Sequence, residues 1–198
     1  MVKVIGLTGS IAVGKSTVSN YLITHGYQVL DADVLSKEAL YRGTSCYEKV
    51  KEIFGCINED GTINRKMLGN IVFYDEQKKK MLEEMIHPYV IEQIKKGIKE
   101  CQDDLIFLDV PLLYEVHWDV LCDKVIVVYV DEKTQLERLM KRNHISQEEA
   151  FNLMQQQISI EKKKEMGDYI LDNRQDYQEL YENIERVLKV IKDEVIYE

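Results

Sequence analysis

The apolar positions of this chain fall into short runs, separated by longer stretches in which they recur every three or four residues. Lys3 to Leu7, Tyr27 to Leu30, Leu105 to Leu108, Lys124 to Val130 and Tyr169 to Leu171 are the runs. Each has the length of a strand, and the fourth is nearly unbroken in β-branched residues, as buried strands are. Between them the spacing turns helical. Val18 and Leu22 share a face in a stretch that starts at Lys15 and stops at Gly26. Leu180, Ile184, Val187, Leu188 and Ile191 mark the packing face of a final helix. Strands alternating with helices predict an α/β fold of three layers around a five-stranded parallel sheet.

The intervals between strands are uneven. More than seventy residues separate Asp33 from Leu105, too many for one crossover helix. Met81, Leu82, Met85 and Ile86, then Val90, Ile91, Ile94 and Ile98, keep helical spacing there. Pro88 is expected to separate these two segments or to start the second. The pattern predicts a core of residues 1–32, 104–134 and 166–198, with a mostly helical insertion at 33–103. A second polar helical stretch, about Gln135 to Lys164, predicts a smaller excursion at 135–165.

The junction after the first strand carries the clearest chemistry. Gly9-Ser10-Ile11-Ala12-Val13-Gly14-Lys15-Ser16 fits G-x-x-x-x-G-K-[ST], after a predicted strand and before a predicted helix. Glycines let successive N–H groups turn toward phosphate oxygens, and the helix dipole points at the same target. In this motif Lys15 reaches the β- and γ-phosphates of ATP and the Ser16 hydroxyl ligates Mg²⁺. Ala12, Val13 and Thr17 complete the phosphate-binding set. The GTPase elements D-x-x-G and N-K-x-D are absent, as are the protein-kinase H-R-D and D-F-G elements. A small-molecule kinase remains, or an ATP-driven switch or binding module.

Paired acids favour the kinase. Asp31 and Asp33 stand two apart at the end of the second strand, where an extended chain projects both to one side. Ligands of open α/β sheets bind at the carboxyl ends of strands. A carboxylate there can accept the proton of an acceptor hydroxyl, a role assigned to Asp33; either Asp can instead cap the following helix, and Asp31 is left open. Asp109 follows the third apolar run, as a Mg²⁺-contacting carboxylate does, although acids are common at strand ends. Arg138 and Arg142, four apart on a helix, share a face from which they can neutralise phosphate charge, or merely meet solvent.

Composition narrows the setting. With 45% apolar and 31% charged residues the chain is an ordinary globular one. A net charge of −9 argues against a large nucleic-acid footprint. Cys46, Cys56, Cys101 and Cys122 form no C-x-x-C pair and suit a reducing compartment. The amino terminus is a poor signal peptide and no apolar run suits a bilayer, so a cytoplasmic location, with no obligate protein partner, is expected.

Along almost its whole length the chain resembles the dephospho-CoA kinase family. The likeness runs from Ile5-Gly6-Leu7-Thr8-Gly9 through Asp31-Ala32-Asp33, Asn64-Arg65-Lys66-Met67-Leu68-Gly69 and Ile86-His87-Pro88. It continues with Asp109-Val110-Pro111-Leu112-Leu113-Tyr114-Glu115, then Arg138, Arg142 and Gln157, and ends with Asp168-Tyr169-Ile170 and Asp172-Asn173. The resemblance implies that the insertion binds CoA and that 135–165 is a lid. It implies phosphorylation of the ribose 3′-hydroxyl of dephospho-CoA, with Asp33 as base, Arg142 on the ATP phosphates, Asn173 near adenine and Thr8 beside the phosphates. Lys37, His87 and the segment carrying Pro111, Leu112 and Glu115 would shape the acceptor site. The runner-up is a nucleoside or nucleoside-monophosphate kinase. Departures from the family pattern are Ser10, Ala12 and Val13 where glycine is usual, Lys37 for Arg, Asn64 for Asp and Gly167 for Ala.

Overall fold

In β1 (Lys3–Thr8) every residue after Lys3 is buried. A strand with no solvent face belongs in the middle of a sheet, and β1 is there. In the computed structural model, which describes residues 2–197, the sheet has the order β2-β3-β1-β4-β5. The other strands are β2 (Gln28–Asp31), β3 (Leu105–Asp109), β4 (Lys124–Tyr129) and β5 (Tyr169–Asp172). β1 runs parallel to β3 with Leu7 opposite Asp109, and parallel to β4 with Thr8 opposite Val127. β4 runs parallel to β5. The edge strands β2 and β5 are mostly half-buried, as a sheet edge should be. Helix α1 (Lys15–Thr24) and helix α9 (Tyr177–Tyr197) carry the apolar faces expected of them, with Val18, Leu22, Leu180, Ile184, Leu188 and Ile191 all buried.

The chain divides into two compact units, one of residues up to Leu30 and from Cys101 onward, the other Asp31–Glu100. The second contains α2 (Ala32–Glu38), α3 (Ser45–Phe54), α4 (Arg65–Phe73) and α5 (Glu76–Glu100). Its own core is Ala39, Cys46, Tyr47, Val50, Cys56, Ile63 and Leu68, covered by Leu82, Met85, Ile86 and Tyr89 of α5. Here the structure departs from the sequence reading. Pro88 neither separates two helices nor begins one: α5 runs through it for 25 residues. The carbonyl that loses its partner is that of Glu84, which is exposed, so water can satisfy it.

The polar helical stretch after β4 comprises three helices. α6 (Glu132–Asn143) is capped by Asp131 and ends at His144 in the left-handed region, φ 55°. A capping box between Ser146 and Glu149 starts α7 (Gln147–Gln155), and Ser159 caps α8 (Ile160–Met166). A Cβ at Gly167, the residue that follows, would lie 2.6 Å from Val127 Cγ2 on β4. Gly167→Ala should therefore cost about 1–3 kcal/mol by overpacking, read as a lowered urea midpoint. Val127→Ala in the same chain should recover part of that loss, giving a coupling well away from zero in a double-mutant cycle.

Candidate active site

The loop between β1 and α1 is built from backbone that most residues avoid. Ala12 sits at φ 64° and Gly14 at φ 90°. A Cβ on Gly9 would lie 2.9 Å from the carbonyl oxygen of Val128, so only glycine lets the loop pass this close to β4. Gly14 is more constrained still: its Cβ would lie 2.2 Å from Asn173 Nδ2. α1 starts at Lys15 with no side-chain cap and no acidic residue in its first turn. Its N–H groups and positive dipole end, with Lys15, Ser16 and Thr17 in the first turn, therefore face no protein anion of their own turn.

Charge is arranged around this loop. Lys15 Nζ is ion-paired with Asp109 Oδ1 at the end of β3, whose side chain is almost fully buried. Asn173, 7% exposed, donates from Nδ2 to the Val13 carbonyl at 2.8 Å and from its backbone N–H to Tyr129 O. Arg138 Nη2 donates to Asn173 O at 2.9 Å. Arg142, by contrast, is exposed and bonds only its neighbour Asn143 among the hydrogen bonds resolved. Four-residue spacing placed the two arginines on one helix, but only Arg138 is committed to the loop after β5.

A third layer lies beneath. Thr8, fully buried, donates its hydroxyl to Pro111 O at 3.1 Å. The same carbonyl accepts from Lys163 Nζ at 2.9 Å, and Lys163 is also 2.9 Å from Glu115 Oε1. Lys163 is 0% exposed. Burial pushes its ammonium below the ordinary lysine range, the Glu115 carboxylate works against that, and Lys15 adds a little to the lowering. Glu115 Oε1 accepts from Ile158 N–H as well, at 3.0 Å. Leu112 is exposed, while Leu113 beside it is fully buried.

In the other unit, Asp31 and Asp33 do not stand in extended chain together. Asp31 ends β2 and caps α2, its Oδ1 accepting from Asp33 N at 2.8 Å and Val34 N at 3.0 Å. Asp33 is already in the first turn of α2, with an exposed side chain. Capping thus occupies Asp31 and leaves the Asp33 carboxylate at the positive end of the helix. Lys37 lies in the last turn of α2, where its carbonyl accepts from Arg65 Nη2 at 3.1 Å. His87 is half-buried on α5, next to Pro88.

Sequence reading missed Lys163 and Gln135. Lys163 is the middle of three consecutive lysines, and composition alone does not tell a buried one from its solvated neighbours. Gln135, 2% exposed on α6, bonds the carbonyl of Ile11. The nearest available signal was position: both fall in the polar helical stretch at 135–165 that precedes the last strand.

A phosphate-binding loop closing the central strand of a five-stranded parallel sheet, with a paired lysine and aspartate behind it, defines a P-loop kinase of the α/β class. The dephospho-CoA kinase family model matches residues 3–179. A dephospho-CoA kinase from Staphylococcus saprophyticus is 44% identical over 192 residues, covering 95% of this chain and 93% of the relative. A Thermus thermophilus crystal structure superposes with a TM-score of 0.82 at 31% identity, covering 98% of this chain and 97% of that one. Dephospho-CoA kinase from Campylobacter jejuni gives 0.74 at 30% identity, covering 96% and 98%. The chain belongs to the dephospho-CoA kinase family.

Two variants test the architecture. Gly14→Ala meets both positive φ and Asn173, so nucleotide affinity, followed by calorimetric titration, should fall by at least about tenfold. Lys163→Ala leaves the Glu115 carboxylate partly buried without its ammonium. It should lose about 2–4 kcal/mol in denaturant unfolding.

Proposed function

We propose that this chain transfers the γ-phosphoryl group of ATP to the ribose 3′-hydroxyl of dephospho-CoA, giving CoA and ADP, with Asp33 accepting the hydroxyl proton. The observation that carries this reading is the family match running from residue 3 to 179 over a chain whose phosphate loop lies between β1 and α1. The reaction asks the protein for position and charge more than for covalent chemistry. Val13, Gly14, Lys15, Ser16 and Thr17 would hold the β- and γ-phosphates through backbone N–H groups and the lysine ammonium. Arg142, exposed and bonded to its neighbour Asn143, is the cation suited to reach transferring phosphate. Arg138 is spent on Asn173 and would act by holding the adenine-side loop.

Mg²⁺ fits the donor set. Ser16 offers a hydroxyl and Asp109 a carboxylate, hard oxygen donors of the kind Mg²⁺ takes while keeping water and phosphate oxygens for its other positions. Among the described residues no cluster of three or more His, Cys, Asp or Glu could hold a metal alone. That suits an ion that arrives with ATP. When bound, Mg²⁺ would neutralise charge on the β- and γ-oxygens. Asp109 would then exchange its contact with Lys15 for the ion or its water shell, freeing the lysine for phosphate.

Asp33, Lys37 and His87 would serve the acceptor, along with Pro111, Leu112 and Glu115. Asp31 would serve it indirectly by capping the helix that carries Asp33. Residues 135–165 would act as the lid over ATP, excluding water during transfer. Among the described residues no helix is long and apolar enough to cross a membrane, and we place the enzyme in the cytoplasm.

ADP release in the presence of Mg-ATP tests the reading. Dephospho-CoA should stimulate it, with CoA as the product by mass, while AMP, CMP and adenosine should not. Stimulation by a nucleotide would make the chain a nucleoside or nucleoside-monophosphate kinase, and no stimulation by any acceptor would make it an ATP-driven switch. Asp33→Asn should lower kcat by about 10²–10⁴, the usual worth of a general base, with the ATP dissociation constant changed by less than about threefold.

A further inference from the structure

Two side-chain amides reach the same residue of the phosphate loop. Gln157 Oε1 accepts from the backbone N–H of Ile11 at 2.9 Å, and Gln135 Nε2 donates to the Ile11 carbonyl at 2.8 Å. These groups belong to the two peptide planes on either side of the Ile11 α-carbon. Holding both planes fixes both dihedrals of Ile11, the only soft ones it has. The second plane also leads into Ala12, whose φ of 64° is unfavourable for a residue with a Cβ. Such a conformation persists only where its surroundings over-determine it.

The groups doing the holding are themselves fixed. Gln135 is buried on α6. Gln157 lies between α7 and α8, and the next residue is pinned on both sides. Ile158 O accepts from Ser10 Oγ at 3.2 Å, and Ile158 N–H donates to Glu115, which Lys163 holds in turn. An uninterrupted set of hydrogen bonds therefore links the buried ammonium to the first half of the phosphate loop. Neither the loop motif nor the charge pattern marks Gln157 for this.

We propose that Gln157 is a positioning residue for nucleotide binding: with Gln135 it braces Ser10–Ala12 in the conformation that receives ATP, and it stays on the Ile11 N–H when ATP binds. The proposal rests on the reading of the chain as an ATP-dependent kinase. It deepens that reading, because the brace comes from the segment assigned to the lid. The lid's position and the shape of the phosphate loop are then one variable. The Ile11 N–H is also withdrawn from the phosphates, which are left to the N–H groups from Val13 onward.

The test is Gln157→Met, which keeps length and packing but has no acceptor for the N–H. Gln157→Asn is a second variant with native polarity, one methylene too short to reach. Gln155→Met, in the same segment and exposed, is the control. Both Gln157 variants should raise the ATP dissociation constant and the KM for ATP about tenfold, the cost of one unmet, partly buried hydrogen bond. The KM for dephospho-CoA should move by less than about twofold and Tm by only a few degrees, whereas a merely structural role would lower Tm and active fraction without touching the KM for ATP. Unchanged ATP affinity would overturn the proposal. Tighter ATP binding would also overturn it, because Gln157 would then be competing with phosphate for the amide. The wild-type protein in the same assays keeps the two ideas apart. Absence of stimulation by dephospho-CoA would sink the acceptor reading, while the ATP titrations would still decide the role of Gln157.

Discussion

A lysine ammonium with no access to solvent must find its partners within the protein, and in this chain that requirement falls on Lys163. Its partners are the carboxylate of Glu115 and the carbonyl of Pro111, both on the segment following β3. Meeting it draws the amino end of α8 down onto that segment. The pull brings Ile158 to Glu115 and, one residue earlier, Gln157 to the phosphate loop. Thr8, on the central strand, shares the Pro111 carbonyl. Removing a charge from water is expensive unless partners replace the water; the ammonium has two acceptors here, while Glu115 Oε2 is buried with no hydrogen-bond partner.

The phosphate loop illustrates how a conformation can be imposed from outside. Gly9 and Gly14 hold their places because a Cβ would strike Val128 or Asn173. Ala12 has no such freedom and is instead kept in the left-handed region by what holds the peptides around it. Glycine makes a turn possible by lacking a side chain; bonded neighbours make it obligatory. This loop uses both, which explains how it tolerates Ser10, Ile11 and Ala12 between its two glycines. Each method has a separate vulnerability: one to added bulk, the other to loss of a remote amide.

Much of this was open to a reader of the sequence. All five strands were legible within a residue or so at each end, because buried parallel strands are continuous apolar runs; Ile71-Val72-Phe73, a similar run, lies instead in α4. The phosphate loop was legible from its spacing between a strand and a helix. What stayed hidden depends on three-dimensional satisfaction of polar groups. Pro88 reads as a breaker, but a helix can carry proline where the orphaned carbonyl faces water. Asp31 was left open between cap and acceptor contact, and only the folded chain shows that it caps α2. Lys163 is indistinguishable from Lys162 and Lys164 by any one-dimensional measure. The helices of 132–166 were recognisable as helical but not as three, since their boundaries rest on single capping side chains such as Ser146 and Ser159.

The order in which the chain is made gives the topology a temporal consequence. β1 emerges first, yet both of its partners are encoded about a hundred residues later, and Asn173 later still. Asp31–Glu100 intervenes as a unit with its own core and mostly local contacts, the kind that forms quickly. During synthesis the helical unit can therefore settle while the central strand waits unpaired, an exposed apolar edge of the sort that chaperones recognise. The phosphate loop precedes all of these partners in the chain, and its contact with Asn173 can form only once the segment after β5 has been made. A nascent chain released early would carry the motif without that contact.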